Sequence, residues 1–433
     1  MTHHSAYCLE QVRVIDPSRG LDEVRELCVH AGHIASVERL QAQHIPVKRV
    51  DGRGLWLIPA LFDLHTTLCD PGQEYKERLD QLCATAAAGG YVALATSPAT
   101  HPVNDHRALT ERLRDRAREH NGVQIWPIAA MSEGLEHRQL SEMIELVQAG
   151  AVGFSDGERS IERTDFLRRA MEYLKPLKKP LFLRCEDPHL SAGGLMHEGL
   201  VSTRLGLKGI PSASEEIAVN RALVLAELTG AHVHLTRLSS AGSIALVRHF
   251  KARGVKVTCD VTPHHLTFTD QRVIGYGAEA RLNPPLRADS DREALIIGLN
   301  DGTIDAITSG HAPQSLLEKE VEFEAAAPGL SSLETTVPAL LTLIHQGKLA
   351  QDRALDALCI QPARILGIPT PGLKEGAPAD FLLLDPTVSR PVRPSTFVIP
   401  ATSTPFVGMA LFGNVRWTVR AGEILWNDGS SPL

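Results

Sequence analysis

The sequence predicts an α/β protein: a (β/α)8 TIM barrel with a small β-sandwich domain that is built from both ends of the chain. Eight apolar β-type runs alternate with amphipathic helical segments in the middle of the chain, and eight such units over about 250 residues fit a parallel barrel. Short β-type runs separated by turns occupy both chain ends. The predicted domains are the first part of the sandwich at 1–58, the barrel at 59–365 and the second part of the sandwich at 366–433.

The elements follow one another in a regular order along the chain. The N-terminal β-type runs are QVRVID, RELCVHAGHIASVE and RVDGRGLWLI, with turn signals at DPSRG and DGRG, and the C-terminal ones are ADFLLLD and NVRWTVRAGEILW. The eight barrel strands are predicted at 57–64, 91–97, 123–130, 151–155, 180–185, 232–238, 255–261 and 304–309. The helical segments between them include YKERLDQLCATAAA, RTDFLRRAMEYLKPL, ASEEIAVNRALVLAELT, SIALVRHFKA and DREALIIGL.

Charge, hydropathy and cysteine spacing exclude several classes of protein. The formal net charge of −7 leaves no basic footprint for a nucleic acid or an anionic membrane. No apolar run approaches the roughly 20 residues that span a bilayer, and the N-terminus lacks a signal-peptide pattern, so we expect a cytoplasmic protein. The seven cysteines are scattered without a CxxC pair, so we expect neither a disulfide framework nor a zinc ribbon.

The residues that follow the predicted strands are the candidates for chemistry, because barrel enzymes carry their active sites at the carboxyl ends of the strands. His65 and Asp156 are plausible metal ligands, but Arg184 and Arg237 lie at the ends of strands five and six. A guanidinium group has no lone pair to donate to a metal. We therefore expect the two arginines to pair with Asp156 or Glu186, or together to hold an anion.

The histidines near the last strands differ in what their positions predict. In HVHLTRL, His234 lies on the opposite face of the strand from Arg237, so we expect a packed, hydrogen-bonded residue rather than a ligand. His264 and His265 follow strand seven, where a role in binding a substrate-like group stays open. His311 follows strand eight in SGHAP, and it is either a structural hydrogen-bonding residue or part of the site.

At several specific motifs the sequence resembles the dihydroorotase branch of the amidohydrolase superfamily, and this resemblance covers nearly the whole chain. DLHTTLCDPGQEYKERL is similar to the family's DLHxHLRxPGQEYKE, GGYVALATSPATHPV to GGFTTVxxMPNTxP, and RCEDPHLSAGG to the HCED block. VTPHHLTFTD, NPPLR, DGTIDAI, HAP and SSLETTVP also match. The resemblance implies the barrel fold and, in active members, hydrolysis of a cyclic amide at a zinc centre.

The chain departs from the family pattern at positions to which the resemblance assigns metal binding. His65 matches the first histidine of HxH, and Asp156 is the one aspartate that remains of the FSDDG block. The second histidine of HxH, the histidine of HCED and the histidine after strand six are replaced by Thr67, Arg184 and Arg237.

Further departures affect proton transfer and substrate binding. The aspartate of TDHAP, which the resemblance identifies as a metal ligand and proton-transfer group, is Gly310 here. The arginine and asparagine that bind the substrate in the family are Cys69 and Ala99. The expected remnant pocket therefore consists of His65, Thr67, Cys69, Ala99, Asp156, Arg184, Arg237, His264, Gly310 and His311.

These losses predict a chain with no catalytic residue, no zinc or other cofactor, and no enzymatic activity. The resemblance implies a structural, non-catalytic subunit that assembles aspartate transcarbamoylase in pyrimidine biosynthesis. Its partner would be the aspartate transcarbamoylase catalytic chain, in a homo-dimer or a larger hetero-oligomer. Two alternatives stay open. One is an active cyclic-amide hydrolase with a reduced, mononuclear metal site of His65, Asp156 and His311; the other is a sensor that binds an anionic metabolite through the two arginines and His264.

Overall fold

The computed structural model describes residues 6–117, 122–370, 372–400 and 403–429. Five strands and one helix come from the N-terminal end: β1 (Ala6–Asp16), β2 (Leu21–His30), β3 (His33–Ala35), α1 (Val37–Ala42), β4 (Val47–Asp51) and β5 (Trp56–Pro59). β1 pairs antiparallel with β2 and parallel with both β4 and β5. The DPSRG turn joins β1 to β2. It is stabilised by the hydrogen bond that the Asp16 carboxylate accepts from the Ser18 amide, and Gly20 closes it with a φ of 62°.

One pair of cysteines corrects the sequence prediction. β1 and β2 place Cys8 directly opposite Cys28, and the two form a disulfide. The expectation of no disulfide framework did not include this single pair, because the pairing arises from strand register and carries no short-range motif. The remaining five cysteines are buried thiols, namely Cys69, Cys83, Cys185, Cys259 and Cys359.

The barrel is a sheet of eight parallel strands in the order β15-β14-β13-β10-β9-β8-β7-β6. Its strands are β6 (Leu61–Thr66), β7 (Tyr91–Thr96), β8 (Gln124–Ala130), β9 (Gly153–Ser155), β10 (Leu181–Arg184), β13 (Val233–Thr236), β14 (Val257–Val261) and β15 (Ala306–Ile307). Every residue of β6 and β7 is buried, as expected for a parallel sheet that is covered on both faces. β11 (Met196–His197) and β12 (Gly209–Ile210) form a separate two-stranded ribbon.

The helices follow the predicted alternation with the strands. They are α2 (Leu79–Ala88), α3 (Arg107–Ala117), α4 (Met143–Ala149), α5 (Thr164–Leu174), α6 (Pro188–Ser191), α7 (Leu200–Leu205), α8 (Ser212–Thr229), α9 (Ala241–Ala252), α10 (Pro263–Thr267), α11 (Asp289–Asn300), α12 (Leu316–Lys319), α13 (Leu333–His345), α14 (Gln351–Leu355) and α15 (Gln361–Leu366). Within the described ranges, no helix combines the length and the apolar character that crossing a membrane requires.

The C-terminal end completes the first sheet with β16 (Phe381–Pro391), β17 (Ala410–Arg420) and β18 (Glu423–Asn427). β16 pairs antiparallel with both β5 and β17, so strands from the two chain ends share one sheet. The predicted α/β fold, a TIM barrel with a β domain, is confirmed. The apolar run at 57–64 is not one strand, since it divides at Ala60 between β5 of this sheet and β6 of the barrel. The domain limits themselves remain a prediction.

A buried carboxylate joins the first barrel strand to the segment after the last one. Asp63 of β6 accepts hydrogen bonds from the hydroxyl groups of Thr66, Thr308 and Ser309, and from the Ser309 amide at 2.7 Å. The Thr67 amide donates to the His311 carbonyl at 2.8 Å nearby. These contacts hold the two edges of the barrel sheet together at the end that carries the candidate site.

Candidate functional site

The carboxyl end of the barrel gathers most of the residues that the sequence singles out. His65 lies near the end of β6, Arg184 is the last residue of β10, and Arg237 directly follows β13. His264 lies in α10 directly after β14, and Gly310 follows β15. Parallel strands end at one edge of a barrel, so residues far apart in sequence meet in one pocket.

Glu158 is the centre of an ion cluster in this pocket. Its carboxylate accepts a hydrogen bond from Nη2 of Arg237, and its oxygens lie 3.3 Å from Nε2 of His65 and 3.8 Å from Nε of Arg184. Sequence reasoning missed this residue, which lies in the loop after β9. The signal that could have found it is charge, because two arginines at buried strand ends require a carboxylate within reach.

The cluster keeps Glu158 ionised. Burial would raise the pKa of this carboxyl, but the positive charge of Arg237, the hydrogen bond with His65 and the charge of Arg184 outweigh burial and hold the pKa well below its ordinary range. Glu158 therefore acts as a counter-ion and a hydrogen-bond acceptor rather than as an acid. Its side chain is nevertheless 47 % exposed, whereas the side chains of Arg184 and Arg237 are 3 % and 6 % exposed.

Arg184 has further partners. Its Nη2 donates to a carboxylate oxygen of Glu186 at 2.7 Å and to the amide oxygen of Asn283 at 2.6 Å, and its Nη1 donates to the carbonyl of Cys185 at 3.2 Å. The predicted pairing with Glu186 is therefore confirmed. Nε of Arg184 is buried without a hydrogen-bond partner.

Asp156 fixes backbone and does not pair with either arginine. Its carboxylate accepts from the Met131 amide at 2.8 Å, from the Ser132 amide at 3.0 Å and from the Ser132 hydroxyl at 2.6 Å, and it lies 3.2 Å from Nε2 of His137. Of the alternatives that the sequence left open for the arginines, pairing with Asp156 is not the one that occurs, because these donors occupy its oxygens.

A buried aspartate sets the backbone of Arg237. The Arg237 residue has a φ of 52°, in the left-handed region that is unfavourable for side chains other than glycine, and its amide donates to Asp260 at 2.6 Å. The other Asp260 oxygen lies 2.8 Å from Nε2 of His234. The prediction that His234 is a packed, hydrogen-bonded residue is confirmed.

His311 lies at the barrel seam, the junction between β6 and the segment that follows β15, and both of its ring nitrogens have partners there. Nε2 lies 3.0 Å from the Glu77 carboxylate, and Nδ1 accepts from the Ser332 amide at 3.2 Å. Of the two roles that the sequence left open, its contacts are those of the structural one. Because both nitrogens are engaged, His311 does not converge with His65 on a shared ligand position.

Three further residues of the predicted pocket, Cys69, Ala99 and Gly310, are small and carry no charge. Burial, reinforced by the charge of Glu77, raises the pKa of the Cys69 thiol to about 12, so this residue is a neutral group. Ala99 lies beside Gly157, where an added Cβ would be 3.3 Å from the Ala99 methyl group. Gly310 has a φ of 64°, and an added Cβ there would lie 3.0 Å from Thr262 and 3.2 Å from the His264 ring.

A cavity of about 190 Å³ opens beside the ion cluster. Two buried polar atoms of its lining residues have no hydrogen-bond partner, namely Nε of Arg237 and Nδ1 of His264. Burial, together with the charges of His265 and Arg237, lowers the pKa of His264 well below its ordinary value, so its ring is neutral. The lining includes Thr67, Glu158, Arg237, His264, Asn283 and Gly310.

A second cavity, of about 590 Å³, lies between α13 and strands β16 to β18. It is lined by Glu334 of α13 and by Arg390 of β16, among others. Burial raises the pKa of the Glu334 carboxyl to about 7, which the hydrogen bond from the Val398 amide only partly offsets. The folded state therefore retains a proton that the unfolded state releases near pH 4.5, and stability falls as the pH rises from there to about 7.

Replacing this acid by its amide, Glu334→Gln, is expected to stabilise the protein by roughly 2 kcal/mol above neutral pH, because glutamine keeps the acceptor for Val398 and cannot ionise. Urea denaturation at about pH 5 and about pH 8 checks this, with the gain expected at the higher pH only. Equal stability of the variant and the wild type at the higher pH would contradict it.

Solved structures with a similar fold are named hydantoinase or dihydropyrimidinase. L-hydantoinase (dihydropyrimidinase) from Arthrobacter aurescens superimposes with a TM-score of 0.86 and 21 % identity over 99 % of this chain and 97 % of that one. The dihydropyrimidinase from Brevibacillus agri gives 0.81 and 19 % over 97 % and 94 %. At this identity the likeness establishes the fold alone.

Sequence relatives decide the family. The Dihydro-orotase-like family model matches residues 54–243. A protein named dihydroorotase from Syntrophus aciditrophicus is 42 % identical over 417 residues, which cover 96 % of this chain and 98 % of the relative. Another from Anaeromyxobacter sp. strain K is 41 % identical over 425 residues, 98 % of each. This chain belongs to the dihydroorotase-like amidohydrolase family.

This membership overturns two predictions that rested on the missing motif residues. The prediction that the chain is not an enzyme is contradicted, because relatives at 40–42 % identity over nearly the full length are named dihydroorotase. The prediction that it needs no cofactor, zinc included, is contradicted by the same dihydroorotase relatives, since the resemblance implies a zinc centre in active members of this family.

The pocket of this dihydroorotase-family chain does not reproduce the family's set of zinc ligands. Two of the groups around Glu158 are guanidinium groups, which cannot donate a lone pair. Within the described part of the chain, the only three His, Cys, Asp or Glu side chains with mutually close ligand atoms are Cys8, Glu26 and Cys28, far from the pocket in sequence and in another sheet. We therefore assign no zinc ligands at the barrel mouth, and no chemical step below depends on a metal.

Proposed function

We propose that this chain hydrolyses a cyclic amide in the pocket at the carboxyl end of the barrel. The observation that carries the proposal is the full-length relationship to proteins named dihydroorotase, and the cavity beside the ion cluster supplies a place for a small ring. Hydrolysis adds one water across the ring C–N bond: the oxygen joins the carbonyl carbon, and a water proton moves to the leaving nitrogen. The open-chain product carries the new carboxylate.

Three side chains at the carboxyl end of the barrel have the chemistry that this reaction requires: His264 lines the cavity, and Arg184 and His65 lie within 4 Å of Glu158, which also lines it. The buried Nε of Arg184 donates to the carbonyl oxygen as negative charge develops on it. The imidazole of His65 takes a proton from the attacking water and passes it to the leaving nitrogen. Neutral His264 orients the ring through its unpartnered Nδ1. The proposal thus replaces the family's proton-transfer aspartate, absent at Gly310, with a histidine.

The experiment that tests the proposal is ring opening of dihydroorotate, dihydrouracil and hydantoin by the purified full chain. Product is followed by liquid chromatography, with parallel samples that contain added zinc or a chelator, so that a metal requirement registers in the same assay. Turnover of at least one of the three rings above a heat-treated control is expected. Absence of turnover for all three under every condition would refute the proposed function.

We further propose the aspartate transcarbamoylase catalytic chain as a partner, in a complex that is compatible with hydrolase activity. The resemblance suggests this partner, and an apolar stripe on the outer face of α8 supports it. Ile217, Val224 and Leu228 recur along that face with 51 %, 48 % and 62 % exposure. Exposed apolar side chains at helical spacing are typical of a surface that another chain covers.

Size-exclusion chromatography with light scattering tests this partner. The two chains are expected to comigrate at micromolar concentration, and the double change Val224→Glu with Leu228→Glu is expected to separate them. Ile144→Glu is a matched control, because Ile144 is 48 % exposed on α4. Separate elution of the unmodified chains would argue against this interface. Equal loss of comigration in the control Ile144→Glu would argue against it too.

A further inference from the structure

The charged side chains of the ion cluster differ in their exposure to solvent. Its two cations lie deep, since the Arg184 and Arg237 side chains are 3 % and 6 % exposed, while the Glu158 side chain that neutralises them is 47 % exposed. The anion can therefore leave towards solvent, whereas the cations cannot. Among the residues that the structure describes, Glu158 is the only one whose carboxylate lies within 4.0 Å of the Arg237 guanidinium group.

A buried guanidinium group without a counter-ion is costly, so Glu158 does not leave unless another anion replaces it. Arg184 keeps a second carboxylate, Glu186 at 2.7 Å, but Arg237 does not have one. Exchange of Glu158 for a ligand carboxylate conserves charge at Arg237. The same exchange places the ligand against Nε of Arg237 and Nδ1 of His264, the two buried atoms of the cavity lining that have no hydrogen-bond partner.

The loop that carries Glu158 is fixed on both sides, so exchange requires only a rotation of the side chain. Upstream, Asp156 is bound to the Met131 and Ser132 amides. Downstream, Arg159 donates to the Leu135 carbonyl at 3.0 Å, and the Ile161 carbonyl accepts from Arg221 at 2.6 Å. A half-exposed carboxylate on an anchored backbone is suited to alternate between the pocket and water.

We propose that the Glu158 carboxylate is an internal stand-in for the carboxylate of the substrate, and that a cyclic amide bearing a carboxylate displaces it from Arg237. The choice of a cyclic amide rests on the proposed function, whereas the anion exchange rests on the cluster alone. The inference assigns Arg237 as a residue that determines specificity for acidic rings over neutral ones. It also gives Glu158 a gating role, since its departure releases Nε2 of His65, 3.3 Å away, for the attacking water.

Calorimetric titration tests the exchange without reference to turnover. The probes are dihydroorotate, which carries a carboxylate, and dihydrouracil, the same ring without it. Removing the internal competitor in Glu158→Ala is expected to tighten dihydroorotate binding at least about tenfold, because apparent affinity scales with the fraction of molecules whose site is free. Dihydrouracil binding is expected to stay unchanged. Glu186→Gln is the matched control, since Glu186 binds Arg184 and is not a partner of Arg237.

Thermal unfolding keeps the test decisive if the alanine variant is unstable. Glu158→Gln removes the charge and keeps the shape, and dihydroorotate is expected to raise the melting temperature of either Glu158 variant more than that of the wild type. Unchanged or weaker binding of dihydroorotate by both variants would overturn the inference. An equal gain of dihydroorotate affinity in the control Glu186→Gln would also overturn it. Tighter binding without any ring opening would support the anion exchange and refute the proposed function.

Discussion

Replacing Asp63 by alanine is expected to lower the free energy of unfolding by roughly 4 kcal/mol. Asp63 is 1 % exposed and accepts hydrogen bonds from three hydroxyl groups and one amide. Its donors Thr308 and Ser309 lie after β15, so the carboxylate connects the first and last edges of the barrel sheet. Alanine would leave the Ser309 amide buried without an acceptor and open the seam beside the site.

Urea denaturation followed by circular dichroism measures the Asp63→Ala effect. Asp63→Asn is expected to cost less, since it keeps one acceptor oxygen, and Asp165→Ala is the surface control because Asp165 is 62 % exposed. A loss in Asp63→Ala no larger than in the surface control would show that the seam does not depend on this residue.

Replacing Arg184 by alanine is expected to cost roughly 3 kcal/mol of stability. Its side chain is 3 % exposed, and its removal leaves the amide oxygen of Asn283 and the 19 % exposed carboxylate of Glu186 without their donor. The cavity left by the long side chain adds to the loss. The effect should be smaller than that of Asp63→Ala, because Glu186 can turn partly to water.

Thermal and chemical unfolding of Arg184→Ala provide the measurement, with Arg163→Ala as the control. Arg163 pairs with Asp165 but is 54 % exposed, so its loss should have little effect. An Arg184→Ala protein as stable as the wild type would mean that the cluster contributes nothing to the stability of the fold. It would also mean that burial does not fix the position of Arg184.

The fold followed from the sequence because its signals are local. Buried β-type runs and helical segments alternate along the chain, and that alternation specifies a parallel barrel without reference to any distant contact. The division of the run at 57–64 was not predictable in this way. An apolar run does not reveal that Ala60 marks a change of sheet, since that depends on β16 arriving from the far end of the chain to pair with β5. Likewise, Cys8 and Cys28 pair through register alone.

The sequence identified the two cations of the site, Arg184 and Arg237, but not its anion, Glu158. Arg184 and Arg237 stand at strand ends, where direction and parity can be read from the sequence. Glu158 lies in a loop, whose conformation depends on Asp156 binding backbone amides of the preceding strand's loop. The two acids are only two positions apart, and only three-dimensional contacts distinguish the one that supports the loop from the one that faces the arginines.

The relatives also limit how far missing motif residues can be interpreted. Substitutions at Thr67, Arg184 and Gly310 predicted an inactive chain, but the chain aligns with proteins named dihydroorotase over nearly its whole length. In physical terms, the pocket has exchanged metal-ligand positions for a carboxylate–guanidinium cluster while keeping His65 and the barrel around it. The proposed hydrolase therefore depends on what His65 does.

The rate of dihydroorotate ring opening by the wild type and by His65→Asn is the most direct test of this account. Loss of a positioned general base is expected to lower kcat/KM at least about 100-fold. His189→Asn, a change at an 83 % exposed histidine of α6, is expected to leave the rate unaltered. Equal rates for His65→Asn and the wild type, or no opening of dihydroorotate, dihydrouracil or hydantoin by the wild type, would contradict the proposal that the carboxyl end of the barrel hydrolyses cyclic amides through His65.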